Sequence, residues 1–120
     1  MAARKNLRID QGSDFKHRFR YLERDGVTPI PLINYSARGQ VRPYVESDEI
    51  LHEATTDNGY LVIDEAAGYV DFLVPGEISS QWWTDEAVYD IELLDPLGRP
   101  VRLVQGDIYL DRETTRSPDA

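Results

Sequence analysis

The sequence predicts an all-β chain, an antiparallel sandwich of about seven to nine strands with at most one short helix near residues 76–84. Three observations point there. No long segment repeats its apolar residues at the helical period of about 3.6. Short alternating segments recur instead, separated at roughly ten-residue intervals by Gly, Pro, Asp and Asn clusters. A 120-residue chain with 41% hydrophobic content is long enough to bury one core, so a single domain is expected over 1–120, with flexible ends at about 1–6 and 114–120.

The elements follow in order. "LRID" is a first strand and "QGSD" a bend. In "FKHRFRYL" Phe15, His17, Phe19 and Tyr21 share one face and Lys16, Arg18 and Arg20 the other. Asp25-Gly26 supplies hairpin chemistry. Pro29 and Pro31 cannot donate ladder hydrogen bonds, so "VTPIPLI" reads as an edge strand or a loop. "YSARGQVR" places Tyr35, Ala37, Gly39 and Val41 against Ser36, Arg38, Gln40 and Arg42; Gly39, on the apolar side, marks a bulge or a close neighbour. "PYVESDEILHEATTDNG" is weakly patterned and reads as a loop with one short strand near Ile50 and Leu51.

"YLVID", the turn "EAAG" and "YVDFLV" form a second hairpin, whose latter strand carries apolar residues on both faces and so belongs at the centre of a sheet. Pro75-Gly76 breaks that strand before the helix candidate at Ile78 to Trp83. In "VYDIELLDPLGRPVRLVQGDIYL", Tyr89, Ile91 and Leu93 oppose Asp90 and Glu92, and Asp95-Pro96-Leu97-Gly98 has type I turn chemistry. On the return strand Val101 and Leu103 have one parity, Ile108 and Leu110 the other. One extra residue at Gln105-Gly106 restores the register, so a bulge is expected there.

Composition narrows the function classes. Without cysteine there is no disulfide, thiolate metal site or cysteine nucleophile. The start "MAARKNLRID" lacks the apolar stretch of a signal peptide, and no apolar run approaches the roughly 18 residues of a membrane span, so a soluble chain without an export signal is expected. A net charge of −9 argues against general nucleic-acid binding. That charge is uneven: residues through Arg42 hold nine Lys and Arg against four Asp and Glu, and the remainder four against eighteen. Either basic strands pair with acidic ones inside the domain, or copies meet head to tail.

Sites for chemistry are sparse. His17 and His52 stand far apart and supply no metal-ligand spacing; His17 is expected as a half-buried, hydrogen-bonded imidazole. Asp57-Asn58-Gly59 lacks the further acidic ligands of a calcium loop and reads as a turn. Asp90 and Glu92 share a strand face about 7 Å apart, a spacing open to a carboxylate pair but routine for a wet face. Ser79-Ser80 lacks nucleophile-elbow glycines, and neither a P-loop nor a dinucleotide fingerprint occurs. No catalytic, cofactor or metal residues are assigned, and an enzyme is not expected. Trp82-Trp83 reads either as a core plug or as a partner-facing anchor. Arg18, Arg20, Arg38 and Arg42 would form one basic face if their two strands paired. These six residues are the candidate interface.

"IDQGSDF", "YSARGQVR", "DNGYLVID" with "AAGYVDF", and "VYDIELLDPLGRPVRLVQGDIYLDRETTR" resemble, in that order, small virion structural proteins of tailed bacteriophages. The resemblance runs from about Ile9 to Arg116 and is carried by Gln11, Gly12 and Phe15; Tyr35, Ala37 and Arg38; Tyr89, Asp90, Ile91 and Glu92; Gly98, Arg102, Leu103 and Gly106; and Thr115 and Arg116. It implies an immunoglobulin-like or related β-sandwich, similar to the N-terminal domain of phage baseplate upper proteins. It implies too a homo-oligomer bound to other virion proteins of a tail, baseplate, neck or fibre adaptor, made in the host cytoplasm, with no cofactor and no nucleic-acid or membrane partner. Competing readings are a capsid decoration protein, a carbohydrate-binding module stacking sugars on Trp82, Trp83 or tyrosines, and a small hydrolase built on Asp90 and Glu92.

Overall fold

The computed structural model describes residues 3–23 and 25–114. Its nine strands are β1 (Ala3–Arg4), β2 (Leu7–Asp10), β3 (Phe15–Arg20), β4 (Ser36–Arg42), β5 (His52–Thr55), β6 (Leu61–Asp64), β7 (Tyr69–Val74), β8 (Glu86–Leu94) and β9 (Pro100–Asp111). One short helix, α1 (Gly76–Ser79), follows β7. The strands form two sheets. The larger runs β1-β9-β8-β4-β5, with β2 also on β9; the smaller runs β3-β7-β6, with β7 in the centre as expected. The fold is therefore an all-β sandwich.

Alternation decides which face is inside. Val41, Tyr89, Ile91, Leu93, Val104 and Ile108 of the large sheet bury against Phe19, Leu61, Val70, Phe72 and Val74 of the small one. Each fully buried aliphatic or aromatic side chain contributes about 1.5–3 kcal/mol. The rings of Phe72 and Tyr89 stack across the interface, 5.9 Å apart and nearly parallel.

Not every pairing is antiparallel. β1 and β2 run parallel to β9 in one unbroken register, Ala3 opposite Val104 and Asp10 opposite Asp111. Residues 3–6, expected to be a flexible end, are thus tied into the sheet, where Leu7 and Ile9 are buried. Of the tail expected to be flexible at about 114–120, all but Thr114 lies outside the described residues, Thr115 and Arg116 included.

The bulge of the last hairpin lies upstream of its expected place. Ile91 faces Val104 while Glu92 faces Arg102, so Leu103 is the extra residue and buries beside Val104. Gly106 is required for another reason. A Cβ there would run into the Lys5 carbonyl, because the edge strand presses against β9 at that point. Gly39 sits in an unshifted register with β8, and its constraint is a close neighbour, a Cβ falling 2.7 Å from the Asp90 carbonyl oxygen. The short strand expected near Ile50 and Leu51 forms instead at His52–Thr55, with His52 and Ala54 inward.

Candidate interaction surfaces

The end of the sandwich beyond β2, β7 and β9 is built on Gln11. Its buried amide donates toward the carbonyls of Ser79 and Trp82, each at 3.4 Å, and its Oε1 accepts the Glu113 N–H. Ser79 Oγ accepts the Gly12 N–H at 3.0 Å, and Asp14 Oδ1 accepts the Gly76 N–H at 2.9 Å, capping α1 from another element. Gly12 stands at φ 85°, which its type permits. The Gln-Gly-Ser-Asp bend therefore fixes α1 and the residues after it.

Those residues include the tryptophan pair, which the turn splits. Trp82 is 3% exposed, and its Nε1 donates to the Leu51 carbonyl at 3.2 Å. Trp83 is 60% exposed and donates to both carboxylate oxygens of Glu49 at 3.1 Å. Trp82 is a plug for the core, and Trp83 is presented outward on the loop over residues 43–51. Tyr44, Val45 and Ile50 of that loop are also exposed, and Glu46 and Asp48 lie among them. The loop thus exposes apolar side chains interspersed with acidic ones. Its only signal in the sequence is the weak pattern of "PYVESDEI", whose apolar residues follow neither strand nor helix period.

The four candidate arginines do not form one face. β3 lies in the small sheet and β4 in the large one, so the strands do not pair. Arg18 faces Asp71 in register and binds it through two nitrogens at 2.8 and 3.1 Å. Arg18, with Lys16 also nearby, holds the Asp71 carboxyl below its usual range. Arg20 lies over the Tyr69 ring at 5.1 Å. Arg38 and Arg42 line the outer face of the large sheet, a trough of about 620 Å³ shared with Asp90, Glu92 and Arg102. There Arg38 pairs with Glu92 at 3.4 Å and Arg102 with Asp90 at 3.7 Å. Burial raises the Asp90 carboxyl against the opposing pull of Arg102. Arg42 donates to Gln40 and to the Ser47 carbonyl, holding the base of the 43–51 loop. Basic strands do meet acidic ones within the domain.

The amino-terminal cations lie on two strand edges and on opposite outer faces, Arg4 and Arg8 on that of the large sheet and Lys16, Arg18 and Arg20 on that of the small one. Arg4, Lys5 and Arg8 come from the first edge, and Lys16, Arg18 and Arg20 from the second, β3, which pairs with β7 alone. Lys5 is close enough to His17 to lower its pKa, alongside burial as the larger cause. Arg4 and Arg8 pair with Asp107 and Asp111 at 3.2 Å. Among the described residues, Lys5 and Arg20 make no ion pair. His17 is half-buried, but its contact is the Phe19 ring at 4.6 Å, and it makes no hydrogen bond among the described residues.

His52 lies inside the sandwich at 4% exposure, and its Nε2 meets the Leu73 carbonyl at 2.9 Å, so that nitrogen carries the proton. Desolvation lowers its pKa, against a smaller opposite effect of that hydrogen bond. Asp57-Asn58-Gly59 is a turn: Asn58 Oδ1 accepts the N–H groups of Thr55 and Tyr60, and Gly59 has φ 83°. Among the described residues, no group of three His, Asp or Glu is placed to hold a metal ion. No helix among them is long and apolar enough to cross a membrane.

The geometry defines a β-sandwich with two polar outer faces and one end at which Trp83 stands exposed on an acidic loop. No family model matches the chain, and no curated protein matches it. Among solved structures, the chain is similar to one from photo-crosslinking work on multimeric cell-adhesive interactions of VGSC beta subunits, at 12% identity and TM-score 0.47 over 93% of both chains. It is also similar to extracellular domains 3–5 of Drosophila OTK, at 15% identity and TM-score 0.41, over 97% of this chain and 34% of that one.

Proposed function

We propose that this chain is a non-enzymatic structural component of a tailed-phage particle, in its tail, baseplate, neck or fibre adaptor, working through protein–protein contacts. The observation that carries the contact reading is the split tryptophan pair. A sandwich that needs one tryptophan as its plug holds the next one 60% exposed, bound to Glu49 of a loop whose Tyr44, Val45 and Ile50 are exposed as well. Tryptophan and tyrosine at the centre of a patch with a polar rim are what interface hot spots are made of. The particle itself is suggested by the ordered resemblance from Ile9 to Arg116, in which Gln11 and Gly12 hold that same end of the sandwich together.

A sugar-binding module has less support. It needs two or three rings presented together on one exposed face, and Trp82 is buried. The test is the composition of purified particles from a host carrying the gene. Recovery of the chain in a fixed copy number relative to tail proteins supports the proposal; its absence from particles, or a gene set among metabolic enzymes, overturns it.

A further inference from the structure

We propose that copies of this chain join edge to edge through the small sheet, β3 of one copy pairing in parallel with β6 of the next. This rests on the assembly reading above and names its interface. Both strands are edges: the small sheet runs β3-β7-β6, so each pairs with β7 alone. The Tyr21 N–H reaches the Gly68 carbonyl at 2.9 Å, which sets the phase of the ladder: odd-numbered residues of β3 exchange hydrogen bonds with β7. The main-chain groups of Lys16, Arg18 and Arg20 therefore point away from the sheet. In the same way the Leu73 N–H, 2.9 Å from the Tyr60 carbonyl, leaves those of Leu61 and Ile63 pointing outward from β6. None of these five residues has a main-chain partner on that side among the described residues. Beside β6 the surface opens into a groove of about 330 Å³ lined by Tyr35, Thr56, Leu61, Val62 and Ile63.

The two edges match in direction, register and side chains. Both strands run antiparallel to β7, so they are parallel to each other, and a copy facing the same way joins in parallel. Across one copy Arg20, Tyr69 and Asp64 form a row, as do Arg18, Asp71 and Val62. Continuing those rows without a shift sets Arg18 opposite Val62 of the next copy. That is the register in which the Arg18 N–H meets the Leu61 carbonyl and the Ile63 N–H meets the Arg18 carbonyl. On the outer face Asp64 then lies beside Arg20. Neither makes an ion pair among the described residues; Asp64 accepts the Ala67 N–H, and Arg20 lies over the Tyr69 ring. Val62, 49% exposed, lies against the Arg18 stem. On the inner side Ile63 meets Phe19 and Leu61 meets His17, covering Ile63 and His17, which are half-buried in the single copy. Pairing of two β3 edges would instead set Lys16, Arg18 and Arg20 against like charges. The contact is thus heterologous and repeats from copy to copy, as a ring or a stack requires.

The experiment is sedimentation velocity on the full chain over a range of concentrations, with circular dichroism to confirm folding. Wild type is expected to gain mass with concentration. R20E and I63P are each expected to weaken association about tenfold or more. I63P removes an N–H that the β6–β7 ladder does not use, and it keeps the net charge of −9, so repulsion does not account for its effect. Cysteine pairs then read the register in a chain that has none of its own. Within one copy Arg20 and Asp64 flank β7 about 10 Å apart, beyond the roughly 7 Å that a disulfide spans. R20C/D64C is therefore expected to form reducible oligomers on mild oxidation, and K16C/D64C, out of register between copies, to stay far less crosslinked. A monomer at every concentration, association that survives both R20E and I63P, or equal crosslinking of the two pairs overturns the proposal. A chain found in particles but monomeric alone removes this interface and leaves the assembly reading standing. In-register crosslinking in a chain absent from particles does the reverse.

Discussion

The hydroxyl of Tyr89 donates a 2.6 Å hydrogen bond to the carbonyl oxygen of Lys5, joining the middle of β8 to the edge strand across Gly106 of β9. Burial raises the Tyr89 phenol, so it remains a donor at any ordinary pH. The Lys5 N–H reaches the Gln105 carbonyl at 2.9 Å, and Asn6 Oδ1 accepts the Asp107 N–H at 3.0 Å. Between β1 and β2 the chain thus dips toward the core without losing its partners. Tyr89→Phe should leave the Lys5 carbonyl short of its donor and cost about 1–3 kcal/mol by urea denaturation. Amide exchange should quicken in β1 more than in β8.

Gly106→Ala tests the same junction from the other side. The added Cβ meets main chain, which cannot swing away as a side-chain tip would. Overpacking of this kind costs about 1–3 kcal/mol. The expected outcome is a lower urea midpoint together with faster tryptic cleavage at Arg4 or Lys5, as the edge strand lifts off β9. Unchanged cleavage would mean that β9 yields instead.

How far the sequence foretells this junction depends on which interactions are local. Alternation is local, and it places β3, β4 and β8 with the inward set of each, while it finds β6, β7 and β9 as strands without fixing every inward residue. The parity change in the last hairpin announces an extra residue. It cannot say which, because Gln105-Gly106 looks like bulge chemistry, while the glycine is demanded by a strand about a hundred residues earlier in the chain. The same limit hides the separation of β3 from β4, which depends on sheet assignment, and the contribution of Gln11, whose partners lie at Ser79, Trp82 and Glu113. His52 obscures β5 because an imidazole at an inward position does not look apolar. Trp82 and Trp83 carry legible alternatives, and only the turn after α1 decides which ring goes inside.

His52 makes stability depend on pH with a definite sign. Its folded pKa lies below the ordinary 6.5, because burial penalises the imidazolium. The unfolded chain therefore takes up a proton that the folded chain resists as pH falls below about 6.5, and stability declines there. The decline levels off once pH passes below the lowered folded value. His17, lowered for the same leading reason, adds to it. Urea midpoints measured from pH 8 to 5 should fall in wild type and fall less in His52→Gln, whatever the offset between the two at pH 8.

Asp71 acts in a different window. Arg18 and Lys16 lower its folded pKa below the ordinary 3.8, so its contribution is present above that value and is lost as pH falls through the folded one. Asp71→Asn should lower the melting temperature at pH 7, where the variant leaves Arg18 without its paired carboxylate. The gap between variant and wild type should narrow toward pH 2. A gap that stays constant would assign the effect to packing.

The tryptophan pair separates stability from binding within two adjacent residues. Trp82 fills the end of the core, its indole held by the Leu51 carbonyl and its own carbonyl by Gln11 and Arg112. Trp82→Ala should cost about 3–5 kcal/mol, as large core truncations do. Among the described residues the Trp83 indole donates to the Glu49 carboxylate, an exposed contact, and Trp83→Ala should change stability by no more than about 0.5 kcal/mol. Association with other particle proteins should respond in the opposite order: Trp83→Ala weakens it by about tenfold or more, in the range of an interface anchor, while the fold stays intact. Denaturation of the same two variants and their copy number in purified particles decide the matter. If Trp83→Ala instead destabilises the monomer as much as Trp82→Ala, its ring belongs to the fold, and that end of the sandwich loses its anchor.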